Sequence, residues 1–159
     1  MAVRVLFVCL GNICRSPTAE GVFRKLVADA GLAHAIETAS AGTQGYHAGE
    51  PPDSRSQAAA KRRGYDLAKQ RARRVTLDDF ERYDLLVAMD DGHYEALHRM
   101  APEGTRHKVK MMLAYARRTS LREVPDPYYG GPDGFEEVLD LLEDAAAGLL
   151  ESLGAAAVG

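Results

Sequence analysis

Eight residues, Cys9 to Ser16, separate an apolar run from a helical pattern near the start of this chain. The apolar run, residues 3–8, predicts a buried strand, and apolar residues at helical spacing from Ala19 to Ala30 predict a helix. The octet therefore joins a strand to a helix, with a thiol at one end and the Arg15 guanidinium near the other. Inward-pointing amides, the positive end of the helix dipole and Arg15 all favour a bound anion, and phosphate oxygens suit the guanidinium fork.

The same electrostatic field favours ionisation of Cys9, because helix N-termini and neighbouring cations stabilise a thiolate. Cys9 is then a nucleophile before a substrate arrives. We expect Ser16 to be the N-cap, with Pro17 as the first helical residue, and the Ser16 hydroxyl to lie close enough to donate to the Cys9 sulfur. Gly11 is expected to supply a positive φ inside the turn.

Strand-like and helix-like segments alternate along the rest of the chain. This order predicts an α/β fold: an open, twisted, four-stranded parallel sheet with helices on both faces, a three-layer arrangement of the flavodoxin-like kind. The length of 159 residues and a hydrophobic content of 46% suit a single domain over residues 1–159. The further strands are predicted at 36–41, at 83–89 and within 108–113, and the further helices at 53–63, at 92–100 and along an apolar stripe over 135–153.

Two long stretches without periodicity, residues 42–53 and 122–134, are predicted to be loops that border the ligand site. In an open parallel sheet that site lies beyond the carboxyl ends of the strands. The turn that begins at Cys9 follows the first strand, so both loops are expected to converge on it.

Composition narrows the setting in which the protein acts. No apolar run approaches the length of a membrane span, the first one lacks a basic leader, and the net charge of −3 argues against broad nucleic-acid affinity. Two cysteines five residues apart form no disulfide framework, so we expect a cytoplasmic protein.

Residues 69–74 form a basic cluster, which is either a solvated face or a surface that steers acidic substrates. No metal-ligand spacing and no nucleotide loop is present, so no metal and no cofactor is predicted.

The octet and the Pro17-Thr18-Ala19-Glu20 segment that follows it closely resemble the signature of the low-molecular-weight protein tyrosine phosphatases. Residues 40–43 resemble the second loop of that family, Met89-Asp90 the end of its third strand, and residues 126–130 (Asp-Pro-Tyr-Tyr-Gly) its acid-bearing loop. The order and spacing of these motifs agree over nearly the full length. The resemblance implies the fold, the chemistry and the phosphotyrosine substrates of the family.

The resemblance also implies the catalytic roles. Cys9 attacks phosphorus and forms a cysteinyl-phosphate, while Asp126 protonates the departing tyrosine oxygen and then activates water. Residue type alone favours an ordinary aspartate in a turn between two prolines, and it is the match to the acid-bearing loop of the family that favours the catalytic assignment of Asp126. Phosphate is predicted to bind Arg15 and the backbone N–H groups of Leu10, Gly11, Asn12, Ile13, Cys14 and Arg15.

Aromatic side chains are expected to form the walls of the substrate pocket, because a phosphotyrosine ring can stack on them. Tyr128 and Tyr129 resemble the ring-lining positions of the family, and so does Tyr46, although an exposed loop aromatic explains Tyr46 equally well. Of the two apolar residues inside the turn, Leu10 is favoured over Ile13 as the pocket residue.

Asn12 and Ser40, together with Ser16, are predicted to support the turn through side-chain hydrogen bonds. Animal members of the family carry a histidine in this network, whereas this chain reads Lys69-Gln70-Arg71, which leaves the tether of Asn12 open. Surface or loop positions are expected for His47, His93, His98 and His107.

Cys14 admits two interpretations: it captures an oxidised Cys9 as a reversible disulfide, or it is a small buried residue that fills space. Two alternative functions also remain. An arsenate reductase on the same fold would need further shuttle cysteines, and the chain has two cysteines in all. A phosphotyrosine-binding module would need neither Asp126 nor a free thiol. We expect phosphotyrosine-containing proteins as partners, and a monomer or weak self-association.

Overall fold

A computed structural model describes residues 2–128 and 130–158 of the chain. Four strands form one parallel sheet in the order β2-β1-β3-β4, which confirms the predicted sheet. The strands are β1 (Val3–Cys9), β2 (Ile36–Gly42), β3 (Leu85–Ala88) and β4 (Val109–Met111).

Within the described residues, five helices connect and flank the strands, and four of them lie in segments where a helix is predicted. The five helices are α1 (Arg15–Asp29), α2 (Ser54–Arg62), α3 (Asp79–Arg82), α4 (Asp91–Met100) and α5 (Pro132–Val158), with 3-10 turns at Arg106–Lys108 and Met112–Tyr115. The helix at Asp79–Arg82 is not predicted, because a single turn of four residues is too short to show a helical period. None of the helices within the described ranges is both long and apolar enough to cross a lipid bilayer.

Both faces of the sheet are covered, and β1 shows this most clearly because its residues 5–9 are all buried. Val5 and Phe7 point into the core formed with α1, α2 and α5, whereas Leu6 and Val8 point into the core that contains Phe80 and Leu97. A strand buried on both sides reads as a continuous apolar run. Each fully buried aliphatic or aromatic side chain contributes about 1.5–3 kcal/mol relative to exposure.

The third strand is shorter than predicted. Asp84 lies before its first residue, where its carboxylate accepts a hydrogen bond from the Arg4 amide at 2.8 Å and its own amide donates to the Arg4 carbonyl at 2.8 Å. The Arg4 amide thus pairs with the Asp84 side chain instead of with a backbone carbonyl of the third strand. The ladder proper is confined to the apolar residues of β3.

The strand order places β1 between β2 and β3. The chain leaves β1 in one direction to form β2 and then crosses back past β1 to form β3, so the strand order reverses at β1. Ligands of open α/β sheets bind in the crevice at such a reversal, beyond the carboxyl ends of the strands. The carboxyl end of β1 is Cys9.

Candidate active site

Cys9 ends β1, and α1 begins at Arg15, so the intervening residues form a short loop that returns toward the strand end. The prediction that Ser16 is the N-cap was wrong. Cys14 occupies that position without a side-chain cap, and Pro17 is the third helical residue, still within the first turn, where a missing N–H is tolerated. The reason is that the Ser16 hydroxyl bonds to Cys9 and Asn12 instead.

Asn12, and not Gly11 as predicted, adopts the positive φ of the turn, at 59°. Its side-chain amide donates to Ser16 Oγ at 2.8 Å and to Ser40 Oγ at 2.9 Å, and its Oδ1 accepts from the Arg73 amide at 3.0 Å. Asparagine tolerates the left-handed region better than most residues, and three hydrogen bonds hold it there. The structure thus brings the predicted supporting residues Asn12, Ser16 and Ser40 together.

Gln70 extends this network from the segment where the sequence offers no histidine. The Ser40 hydroxyl lies 3.4 Å from Gln70 Oε1, and Gln70 Nε2 donates to the Pro17 carbonyl at 2.9 Å. The Arg73 amide therefore tethers Asn12 directly, and Gln70 supports it indirectly through Ser40. Neither contribution is predicted from the sequence, because both depend on a connection that passes beside the turn only in the folded chain.

The Cys9 sulfur lies 3.0 Å from Ser16 Oγ. Because the Asn12 amide already donates to that hydroxyl oxygen, the hydroxyl proton remains available for an acceptor. The two acceptors within reach are the Cys9 sulfur and the Ala41 carbonyl, which is farther away at 3.5 Å. The shorter contact favours donation to sulfur, an arrangement that stabilises a thiolate.

The amides of residues 10–15 donate no hydrogen bond to a backbone carbonyl in the part of the chain that the structure describes. They surround the point at which α1 directs its N-terminus, so unpaired donors and the positive end of a helix dipole coincide. This combination binds phosphate in other proteins without further charge. Here the buried Arg15 adds a full positive charge.

Two hydrogen bonds from one nitrogen fix the Arg15 guanidinium. Nη1 donates to Asp90 Oδ2 at 2.9 Å and to the Val124 carbonyl at 3.0 Å, while Nη2 lies 3.8 Å from Asp126 Oδ2. No role in the site is predicted for Asp90 from the sequence. Its position directly after the third predicted strand was the available signal, since the carboxyl ends of parallel strands share one edge.

Burial disfavours the charged form of Asp90, but the His93 amide and Arg15 more than offset it and hold the pKa of Asp90 below its usual value. His93 itself is buried in α4, so the expected surface or loop position was wrong. It shares the inner helix face with Leu97, four residues on. Burial lowers the pKa of His93 to about 4, against the attraction of Asp90, so the ring is neutral at pH 7.

The other three histidines for which a surface or loop position is predicted lie away from the buried core of the site or only at its rim. His98 is half-buried in α4, and His107 is exposed in a 3-10 turn. His47 lies in the loop after β2, where it lines the cavity at Cys9 and its Nδ1 is 3.0 Å from Glu50 Oε2. A loop position for His47 and a surface position for His107 agree with the predictions.

A cavity of about 270 Å³ opens at the Cys9 sulfur and brings the predicted catalytic residues together. Asp126 lies at its rim with its side chain 40% exposed, and Asp126 Oδ1 accepts a hydrogen bond from the Tyr128 amide at 3.0 Å. Tyr129 lies outside the described residues. The cavity is lined by Cys9, Leu10, Gly11, Ile13, Cys14, Arg15, Tyr46, His47, Asp126 and Tyr128.

The apolar residues that line the cavity differ in how far they are exposed to solvent. Leu10 is 46% exposed and Tyr46 is 81% exposed, whereas Ile13 is half-buried and packs against the core as well as lining the cavity. A larger cavity of about 540 Å³ lies on the other side of Ser40, beside Glu20, but the residues that line it include no thiol.

Both cysteines are free thiols and both are buried. Burial raises the pKa of Cys14 to about 12, so its side chain stays protonated. No cluster of three or more His, Cys, Asp or Glu side chains able to hold a metal ion occurs in the described residues.

The basic cluster at residues 69–74 is partly engaged within the protein. Arg73 forms two hydrogen bonds with Asp79, at 2.9 and 3.0 Å, and Arg71 donates to the carbonyls of Ala68 and Gln70. Part of the cluster is therefore structural. Steering of acidic substrates by the remaining charge stays a prediction.

Fold and site together define a three-layer α/β protein whose first strand-to-helix loop holds a thiol, a buried guanidinium and unpaired amides opposite a carboxylate. The profile of the low molecular weight phosphotyrosine protein phosphatases matches residues 4–158. A low molecular weight protein-tyrosine-phosphatase from Streptomyces coelicolor is 51% identical over 156 residues, which cover 96% of this chain and 94% of that one.

A human low molecular weight phosphotyrosine protein phosphatase is 42% identical over 136 residues, covering 84% of this chain and 85% of that one. The crystal structure of a protein tyrosine phosphatase from Entamoeba histolytica, with Hepes in its active site, superposes with a TM-score of 0.95 at 41% identity and covers 98% and 99% of the two chains. The chain therefore belongs to the low molecular weight protein-tyrosine-phosphatase family of enzymes.

Proposed function

We propose that this chain hydrolyses phosphotyrosine in proteins, and aryl phosphates in general, in two displacements through a cysteinyl-phosphate. The observation that carries the proposal is that the Cys9 thiol, the Arg15 guanidinium and the Asp126 carboxyl line one cavity. Membership of a phosphatase family supports the same reaction.

In the first displacement the Cys9 thiolate attacks phosphorus. The sulfur–phosphorus bond forms as the bond to the tyrosine oxygen breaks, and Asp126 transfers its proton to that oxygen. Arg15 and the amides of residues 10–15 hold the three remaining oxygens, where negative charge redistributes. Donors fixed in advance are usually the largest contribution to such catalysis. The Ser16 hydroxyl, 3.0 Å from the sulfur, stabilises the attacking anion.

In the second displacement a water molecule attacks the phosphorus of the cysteinyl-phosphate. Asp126, now a carboxylate, takes the water proton, the sulfur–phosphorus bond breaks, and the Cys9 thiolate and inorganic phosphate are regenerated. The exposed position of Asp126 at the rim gives water access to its carboxylate. The cycle consumes the phosphoester and water and requires no other reactant.

Preference for phosphotyrosine follows from the shape of the cavity. The phosphate-binding amides and the Cys9 sulfur lie at the buried end, and Leu10, Tyr46 and Tyr128 line the way out. A phosphotyrosine reaches farther from its backbone than a phosphoserine, and its ring can pack against these side chains. We propose that all three contact the ring of the substrate.

Replacement of Cys9 by serine tests the proposal. We expect Cys9→Ser to abolish turnover of p-nitrophenyl phosphate while inorganic phosphate still binds, because Arg15 and the amides remain. Cys14→Ser is the matched control: it changes the other thiol of the same loop and is expected to retain turnover. An active Cys9→Ser variant would refute the proposed nucleophile.

The two alternatives lack support. Arsenate reduction through a relay of thiols would need more cysteines than Cys9 and Cys14, and the relatives reported above are named phosphatases. A binding module without catalysis would not need Asp126 beside Arg15. We propose that the enzyme acts on phosphoproteins in the cytoplasm, where a reducing environment keeps the Cys9 thiolate free.

A further inference from the structure

Arg55, on the first turn of α2, connects three parts of the molecule that meet at the cavity. It lies outside the loop of residues 10–15 and does not line the cavity at Cys9. Its contacts nevertheless reach the phosphate-binding loop through Asp53, the loop that carries Asp126 through Tyr128, and the start of α5 through Phe135.

The connection to the phosphate-binding loop runs through Asp53, the N-cap of α2. The Asp53 amide donates to the Ile13 carbonyl at 2.7 Å, which fixes the start of α2 against the loop. Arg55 Nε lies 3.1 Å from Asp53 Oδ1 and Nη2 lies 3.0 Å from Oδ2, a two-pronged ion pair. Burial disfavours the charged form of Asp53, but the hydrogen bonds from Arg55 hold the pKa of Asp53 below its usual value.

The connection to the acid-bearing loop uses the remaining terminal nitrogen. Arg55 Nη1 donates to the Tyr128 carbonyl at 3.1 Å, and the guanidinium carbon lies 5.1 Å from the centre of the Tyr128 ring. The same carbon also lies 4.9 Å from the centre of the buried Phe135 ring. A guanidinium placed over two aromatic rings gains cation–π attraction, and its planar fork limits its rotation.

Tyr128 in turn fixes Asp126, because the Tyr128 amide donates to Asp126 Oδ1 at 3.0 Å. A continuous set of contacts therefore runs from Ile13 through Asp53, Arg55 and Tyr128 to the carboxyl group opposite the nucleophile. These contacts join the Asp126 carboxyl to the loop of residues 10–15.

We propose that Arg55 is a positioning residue for the general acid: by bridging Asp53 and Tyr128 it holds the Asp126 carboxyl at the distance from the phosphate-binding loop that protonation of the leaving oxygen requires. The inference rests on the proposed function, since it takes Asp126 as the proton donor. General-acid catalysis contributes about 100-fold to 10,000-fold to such reactions and depends on hydrogen-bond reach.

The dependence of the rate on the leaving group separates this role from a structural one. A poor leaving group such as phenolate needs the proton, whereas p-nitrophenolate departs more readily without it. Arg55→Gln is therefore expected to lower kcat/KM for phenyl phosphate about tenfold, and for p-nitrophenyl phosphate by a clearly smaller factor. The inhibition constant of inorganic phosphate, which reports on the loop of residues 10–15, should change less than about twofold.

Three further variants complete the design. Arg55→Lys keeps the positive charge near the two rings but lacks the planar fork that spans Asp53 and Tyr128. We therefore expect the same selective fall in kcat/KM for phenyl phosphate. Arg62→Gln is the matched control, because Arg62 lies on the same helix, is exposed and binds Glu136 on α5 at 2.9 Å. This variant should leave kcat/KM for both substrates unchanged. Asp126→Asn gives the full effect of removing the acid.

The outcomes are distinct. If Asp126→Asn discriminates between the two substrates and neither Arg55 variant does, the role of Arg55 is overturned while the proton donor stands. If the Arg55 variants lower kcat/KM equally for both substrates, or weaken inhibition by phosphate to the same extent, Arg55 has a structural role only. If Asp126→Asn itself fails to discriminate, the assignment of the acid is wrong and the inference falls with it.

Discussion

Asp90 Oδ2 accepts a 2.9 Å hydrogen bond from Nη1 of Arg15, so the cation that we propose binds phosphate is held by a carboxylate just beyond the end of the neighbouring strand. The same side chain caps α4 by accepting from the His93 amide at 2.9 Å. Asp90 therefore orients Arg15 and stabilises a helix at once.

Serine and alanine at position 90 distinguish these two roles. Serine can still cap α4 but is too short to hold Arg15, so we expect Asp90→Ser and Asp90→Ala to lower kcat/KM by similar factors of about 10 to 100. Only Asp90→Ala should also lose about 1 kcal/mol of stability through the missing cap. Steady-state kinetics and urea unfolding measure the two effects. Wild-type kcat/KM in Asp90→Ser would show that Arg15 needs no carboxylate.

Asn12 supplies both a backbone conformation and three hydrogen bonds, and two substitutions separate them. Asn12→Gly removes the three side-chain hydrogen bonds but accepts the positive φ without strain. Asn12→Ala removes the same hydrogen bonds and places a Cβ at a φ that disfavours it. Because a left-handed residue with a Cβ is disfavoured by about 1–2 kcal/mol, Asn12→Ala should be less stable than Asn12→Gly by about that amount. Both should lose kcat/KM for p-nitrophenyl phosphate. Equal unfolding free energies for the two variants would contradict a strained turn held by Asn12.

Cys14 offers a test of reversible oxidation. Peroxide converts the Cys9 thiolate to a sulfenic acid, and attack by the Cys14 sulfur would then form a disulfide and release water. Because burial raises the pKa of Cys14 to about 12, this second step should be slow at neutral pH and faster in mild alkali. We expect thiol treatment to restore peroxide-treated wild type more fully than Cys14→Ala. Equal recovery would leave Cys14 as a space-filling residue.

Asp79 should make stability depend on pH in the acid range. Burial opposes its ionisation, but hydrogen bonds from Arg73 and the Thr76 amide hold the pKa of Asp79 below its usual value. A lowered folded-state pKa contributes stability that is present above the unfolded value, about 3.9, and is lost as pH falls through the folded one. Asp79→Asn should therefore lose about 1–2 kcal/mol at pH 7 and show a flatter decline of stability below about pH 4.

The exposed neighbour Asp78, whose side chain caps no helix, provides the control for that measurement. Asp78→Asn should keep the wild-type decline in acid. A steep decline that survives in Asp79→Asn would assign the acid sensitivity to other carboxylates.

The strand, loop and helix from Val3 to Asp29 could be predicted because local patterns specify them: an apolar run, a loop with a thiol and an arginine, and helical spacing. The end of the first strand also located the site, since parallel sheets place ligands at that edge. The partners of Arg15 and Asn12 could not be predicted in the same way. Asp90, Gln70 and the Arg73 amide reach the site through strand order and crossover path, which no local pattern encodes.

Two misassignments have local causes. Glycine is the usual residue for a positive φ, yet Asn12 takes it because three hydrogen bonds compensate for the strain, while Gly11 beside it adopts another conformation. Serine before proline is a common helix start, yet the Ser16 hydroxyl bonds to Cys9 and Asn12. In both cases the chemistry of the site overrides a backbone preference.

The proposed cysteinyl-phosphate can be trapped by rapid acid quench of the enzyme during turnover of p-nitrophenyl phosphate, followed by mass spectrometry of its peptides. Asp126→Asn assists this measurement, because loss of the base for the second displacement should allow the intermediate to accumulate. We predict one phosphoryl group on the peptide that contains Cys9, and none on that peptide in Cys9→Ser. An active enzyme with no phosphorylated peptide, or with the phosphoryl group on another residue, would contradict this prediction.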